Sequence, residues 1–346
     1  MKLNIRTRSI ALGAMLLSLA ACGEPEPEGR LSDLGVPVAG STLDIRYWPK
    51  EGPLAVCDSI VGIIYRYDDY RWVADDVVLE HTEQQVHHPG AATEHDLDLT
   101  GIYHFINTVE PEKLLFLQDA IVLNDTIAKE GLSGDYGMRV GKVLMGGRSM
   151  EEISLAEYVC AYTSAAADAR MAGSTLPVMS TAGSGNQGIT ASLPVAAAAR
   201  KLGANKETML RAQALSQLIT IHIKAHIGKL SPLCGCAIAA SIGSSAGIVY
   251  LLGGGFTEII YAIQNMISDI SGMICDGAKS SCALKIASSL ASAIQCAQLA
   301  IAGVSASRHD GIIAENAEAS IRNLANLGCS GMATADQVIL DMMIAK

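Results

Sequence analysis

From Leu230 to Thr257 the chain carries no charged residue. A stretch this long and apolar either crosses a bilayer or runs through the centre of a large core. Its composition favours the core. Gly, Ala and Ser make up much of it, Pro232 interrupts it, and Ser241, Ser244 and Ser245 add hydroxyls. The expectation is a buried helix surrounded by other helices, with no membrane association. Half of the 346 residues are hydrophobic but only 4% are aromatic, so the apolar area comes from Ala, Ile, Leu, Val and Met. Small side chains of this kind let helices approach closely. The length is enough for two domains and at least one large core.

The pattern changes near residue 110. Before it, Thr42–Tyr47 is a strand candidate, and Ile60–Tyr67 and Arg71–Glu80 read as a hairpin turning at Asp68-Asp69-Tyr70. His81, His87 and His88 follow in what reads as a loop. After it, helices are expected at 111–128, 154–171, 189–202, 205–227, 236–252, 256–270, 281–303, 310–326 and 334–345, with Glu130-Gly131-Leu132-Ser133-Gly134 as a break. The fold class is therefore α+β, a small region with strands over 1–110, which the resemblance described below implies to be a truncated α/β region, followed by a large helical domain over 111–346.

The net charge of −10 argues against nucleic acid, which needs clustered Lys and Arg. The nine cysteines are odd in number, and a chain of this size needs no disulfide framework, so they read as reduced thiols. Against this stands the N-terminus. Lys2, Arg6 and Arg8 precede an apolar run from Ile10 to Ala21, and Leu19-Ala20-Ala21-Cys22 has the form of a lipidation box.

Three features could carry chemistry. Cys275 and Cys282 lie seven residues apart in a Gly/Ser-rich segment, and Cys234 lies 41 residues before Cys275. Thiolates are the usual ligands of iron–sulfur clusters, and three ligands leave one iron open. Cysteines at this spacing are also ordinary core residues. The stretch Ser180–Thr190 runs three glycines and small hydroxyls straight into a helix, a form that suits an anion or plain helix-connecting loop. Arg170, just before it, has the fork geometry for a carboxylate, although Asp168 and Arg170 also read as a solvated helix end. His222 and His226 share a helix face and read, with Lys224, as a polar edge. Lys279 and Lys285 flank Cys282 and are formal candidates for a Schiff base.

Taken together these residues resemble a known family. Thr163–Arg170, Thr175-Leu176-Pro177, Gly183–Thr190, Leu230–Cys234, Ser271–Cys282 and Gly311–Ala314 look like the L-cysteine desulfidase group of the iron–sulfur L-serine dehydratase α-subunit superfamily, over about residues 120–346. The resemblance implies a [4Fe–4S] cluster held by Cys234, Cys275 and Cys282, with Cys236 the rival for the first position. It implies that Arg170, Ser184, Gly185, Asn186, Gln187 and Gly188 line the pocket for a small amino-acid substrate. The implied reaction is β-elimination from L-cysteine or L-serine, giving pyruvate, ammonia and hydrogen sulfide or water. The family's Gly-Cys-Thr-Glu-Pro segment, whose cysteine serves as base, has no counterpart, since neither Cys22 nor Cys57 reproduces it. The catalytic base is thus unassigned, the first 110 residues look shortened and diverged, and the alternative is a catalytically impaired ligand-binding paralogue. The resemblance also favours a cytoplasmic protein over a lipoprotein anchored at Cys22, and the helical surfaces are compatible with a homodimer.

Overall fold

The computed structural model describes residues 97–228 and 231–344, together with the backbone of Gly29–Arg30 and Arg46–Tyr47. Those last two pairs form a short antiparallel ladder, β1 (Gly29–Arg30) with β2 (Arg46–Tyr47), the second at the end of the expected strand 42–47. The hairpin expected at 60–80, the histidines at 81, 87 and 88, and the candidate leader with Cys22 lie outside the described residues. The chain divides into two compact units, one of residues 1–93 with 173–177 and the other holding the rest.

The second unit is helical. In order it contains α1 (Leu99–Thr108), a 3₁₀ turn (Pro111–Leu114), α2 (Leu117–Ser133), α3 (Val140–Met145), α4 (Leu155–Met171), α5 (Gly185–Leu202), α6 (Lys206–Ile227), α7 (Ala239–Leu251), α8 (Phe256–Ile270), α9 (Cys282–Ile301), α10 (Ala317–Asn326), a π-turn (Leu327–Gly331) and α11 (Ala333–Ile344). Two helices act as hubs. The core of the charge-free stretch is α7, which packs on α5, α6, α8 and α9, while α4 packs on α2, α3, α5 and α9. So α5 and α9 belong to both layers.

The hydroxyls of the central stretch are satisfied by the helices they touch. Ser244 Oγ donates to Thr190 O on α5, and Ser245 Oγ donates to Ala293 O on α9 at 2.8 Å. Buried polar groups are tolerable when bonded in this way. Gly243 explains the closeness of α6 and α7, since a Cβ there would stand 2.4 Å from Ser216 O. With only 13 residues α7 is too short to span a bilayer, and it is buried almost throughout. Among the described residues one helix, α9, is long and apolar enough to cross a membrane by length and composition, and it packs on α4, α7 and α8.

Three sequence expectations need correction. The helical body begins before residue 110, at Leu99, where Asp98 Oδ1 accepts from Gly101 N. The segment 130–133 does not break a helix: α2 continues to Ser133 and stops at Gly134. Gly131 is there for packing, because Ala165 O of α4 lies 1.9 Å from where its Cβ would be. Residues 310–316 are not helical, and α10 starts at Ala317 behind the cap Asn316, whose Oδ1 accepts from Ala319 N at 2.8 Å.

The His222–Lys224–His226 face of α6 is not a polar edge either. His222 is 1% and Lys224 5% exposed. His222 Nε2 lies 2.8 Å from Glu318 Oε2 on α10, and Glu318 Oε1 accepts from Leu99 N at 2.8 Å. One carboxylate thus ties α10 to α6 and to the start of α1. Burial works to raise the Glu318 carboxyl, but the His222 and Leu99 bonds outweigh it and hold it below the usual carboxylate range. A depressed carboxylate stabilises the fold above its unfolded pKa, about 4.3, and that contribution fades as pH falls through the lower folded value. Glu318→Ala should cost about 2 kcal/mol at neutral pH and much less at pH 3, because it strips a charged acceptor from two donors. Urea unfolding of both chains across that pH range checks this, and an equal loss at both ends would refute it.

Candidate thiol-lined site

Two remote segments are zipped together beside α6 and α9. Cys234 N donates to Met273 O at 2.9 Å, and Cys275 N donates to Pro232 O at 2.7 Å, with Leu233 and Ile274 as the antiparallel bridge between them. This pairing sets Cys234 and Cys275 side by side. Cys236 Sγ stands 3.5 Å from Cys234 Sγ. Cys282 enters from the first turn of α9, where its sulfur accepts from Lys279 N at 3.5 Å and donates to Gly277 O at 3.6 Å. The fold therefore brings Cys234, Cys236 and Cys275 together, with Cys282 farther along the same segment as Cys275. Cys160 and Cys296 are core cysteines instead, and burial pushes each thiol up to about 12.

Cys234, Cys275 and Cys282 hold their protons tightly when nothing is bound. Cys234 is raised chiefly by its bond with Cys236, Cys275 chiefly by its bond with Cys234, and Cys282 by burial. A coordinating metal deprotonates a thiol outright, so this does not oppose ligation. Among the described residues, no three His, Cys, Asp or Glu side chains form a site for a single metal ion. A set of soft thiol donors spread over two segments is chemically suited to a cluster, whose ligands sit on different irons.

The Gly/Ser stretch meets this centre. Thr181 and Ser184 exchange backbone bonds of 3.2 and 3.1 Å across a tight turn, with Ala182 and Gly183 both left-handed (φ 47° and 79°). Ser184 then caps α5, its Oγ accepting from Gln187 N at 3.4 Å. Asn186, Gln187 and Gly188 consequently belong to the first turn of a buried helix, not to an open loop. Gln187 Nε2 donates to Thr181 O and Ala182 O at 3.0 and 3.2 Å, which fixes the amide's orientation. Its Oε1 is buried with no hydrogen-bond partner and faces the Cys-Gly-Cys turn, 2.1 Å from where a Cβ on Gly235 would stand. Only glycine fits between Cys234 and Cys236 without moving Gln187.

Arg170 leaves the end of α4 and its Nη1 donates to Asn186 Oδ1 at 3.2 Å. Asp168, two residues earlier, is fully buried rather than solvated. Its Oδ2 accepts from Gly141 N at 2.9 Å. Burial nonetheless keeps its carboxyl above the usual value. Its Oδ1 has no partner and lies near Gly137, which in turn faces Ser280 of the cysteine segment. So α4 reaches the Gly/Ser turn through Arg170 and lies near the cysteine segment through Asp168. Lys285 Nζ donates to Ile274 O at 2.9 Å and pairs with Asp276, which engages it as a clamp on the cysteine segment. Sequence reasoning read Lys224 as part of a polar edge and gave Gly235 no role.

The model of the serine dehydratase alpha chain family matches residues 71–341. The chain is 47% identical over 250 residues to a UPF0597 protein of Clostridium perfringens, covering 72% of this chain and 58% of that one. Similar relatives carry the same name in Phocaeicola vulgatus (45% identity; 74% and 60% covered) and Oleidesulfovibrio alaskensis (41%; 76% and 62%). The chain thus spans about three fifths of the length of these relatives. No solved structure matches it. With most of its length matched by that model, this chain belongs to the serine dehydratase alpha chain family.

Proposed function

We propose that the protein is an iron–sulfur-dependent amino-acid lyase that catalyses β-elimination from L-cysteine or L-serine. The observation that carries the reading is the pairing of the Cys234 and Cys275 segments, which sets two residues distant in sequence side by side, with Cys282 farther along the second segment and the buried Gln187 carbonyl facing the Cys-Gly-Cys turn. Cys234, Cys275 and Cys282 would hold a [4Fe–4S] cluster. When bound, such a cluster supplies Lewis-acid polarisation of the leaving hydroxyl or thiol. The chain's own residues would bind and orient the amino acid. Arg170 has the planar fork for its carboxylate. Gln187 Oε1 is an acceptor of fixed orientation for its ammonium, and desolvation of that oxygen makes a substrate donor there favourable. The N-terminus of α5 adds positive potential for the carboxylate. The group that takes the α-proton is unassigned. The same reading puts the protein in the cytoplasm, where thiols stay reduced.

Anaerobic purification, iron and sulfide analysis and a pyruvate assay with L-cysteine and L-serine test this together. A brown protein with iron and sulfide in cluster proportion that forms pyruvate is the expected result. A brown protein without turnover would make it a ligand-binding paralogue. A colourless, iron-free protein would end the cluster reading and return the three cysteines to the core.

A further inference from the structure

Lysine is almost never fully buried unless its charge is compensated. Lys224 is 5% exposed, on the last turn of α6, and its stem runs along the turn that carries Cys234 and Cys236. Its Cδ lies 3.4 Å from where a Cβ on Gly235 would stand, opposite the Gln187 carbonyl. Cys275, Cys234, Cys236 and Cys329 all act electrostatically on its ammonium, coming from the two zipped segments and from the π-turn. Lys285 also lies within electrostatic range of Cys234 and Cys275, but its charge is shared with Asp276.

We propose that Lys224 is a positioning residue for the cluster, its buried ammonium compensating the negative charge that Cys234 and Cys275 acquire as thiolate ligands. This rests on the cluster reading above. The cost of taking several thiolates out of water falls when a cation is buried with them. Groups just outside the ligand shell set both metal retention and reduction potential. In the metal-free chain burial lowers the Lys224 pKa and the surrounding sulfurs only partly oppose this; ligation would turn Cys234 and Cys275 into thiolates.

The test uses the holoprotein, purified anaerobically as wild type, Lys224→Met, Lys224→Gln and Lys224→Arg. The readouts are iron and sulfide per chain, the rate of bleaching by a chelator and the reduction midpoint. Lys224→Met should bleach roughly tenfold faster than wild type, the lower end of what loss of an outer-shell partner costs. Its midpoint should move to a more negative value, and Lys224→Arg should recover most of both. Thermal unfolding of the metal-free chains separates a structural role: the methionine chain should unfold at or above the wild-type temperature. Should it fail to fold, Lys224→Gln takes its place in the same assays. Bleaching and midpoint unchanged in the charge-free variants of a brown wild type would overturn the proposal while leaving the cluster reading intact. A wild type without iron would overturn both.

Discussion

Cys275→Ala should leave an anaerobic column colourless and form no pyruvate, while unfolding close to the wild-type temperature. The two halves of this expectation rest on different atoms. The bridge between the cysteine segments is made by the Cys275 amide, which donates to Pro232 O and survives the substitution. Cys275 is only half-buried, so losing its sulfur leaves a small, partly solvated gap costing about 1 kcal/mol or less. The ligand set, by contrast, falls from three thiolates to two. Loss of an outer-shell partner alone costs ten- to a hundredfold in metal affinity, so loss of a ligand should exceed about a hundredfold. Iron analysis, the visible spectrum and the pyruvate assay read this directly. The same assays decide between the two cysteines at the first position. Cys234→Ala should behave like Cys275→Ala, and Cys236→Ala should keep its colour. The reverse pattern would make Cys236 the ligand. Colour and turnover retained in Cys275→Ala would remove that residue from the site.

How far the sequence foretold this arrangement differs by residue. The helices of the cysteine-bearing half were legible because their apolar patterns are long, and α4, α6 and α8 fall within a residue or two of expectation. The break expected at 130–134 was not legible, because Gly131 reads as a stop signal until Ala165 O is seen filling the space its Cβ would need. The short α3 was also missed: it is held by the Asp168 carboxylate from 27 positions away, a contact that no local pattern encodes. Asp168 and Lys224 were taken for solvated charges for the same reason. A charged residue is exposed in most contexts, and what buries these two is a distant turn. The cysteines were singled out as ligands by family resemblance. Their spacing alone did not distinguish ligands from core, and Cys160 and Cys296, in the same half of the chain, are core.

Gly188 shows the same division between packing and chemistry, and Gly188→Ala has the largest expected effect on stability. As a helical residue of α5, alanine would be favoured there by about 1 kcal/mol. The backbone around it opposes this strongly. A Cβ would stand 1.8 Å from Met179 O and 2.8 Å from Ser180 Cα. Neither side can easily retreat, because Asn124 clamps both. Its Oδ1 accepts from Met179 N at 2.9 Å, and its Nδ2 donates to Gly188 O at 3.2 Å. Asn124 is itself fully buried, so giving up those bonds would leave its amide unsatisfied at about 1–3 kcal/mol. Overpacking adds about 1–3 kcal/mol, and the helix propensity gain offsets only part of the sum. The net loss should be about 2–4 kcal/mol, a fall in Tm of roughly 5–12 °C for a domain of this size. Gly272 is the control. It lies in the cysteine segment, has ordinary φ and nothing within 4 Å of its would-be Cβ, so Gly272→Ala should change stability by less than about 0.5 kcal/mol. Thermal unfolding of both variants measures the contrast. If Gly188→Ala unfolds with Gly272→Ala and the wild type, the Met179 carbonyl moves freely and the turn before α5 is softer than the Asn124 clamp implies. If the contrast holds, the glycine assigned to the pocket by resemblance acts through packing. It allows the first turn of α5 to lie against the chain entering it, and so fixes where Gln187 faces the thiols.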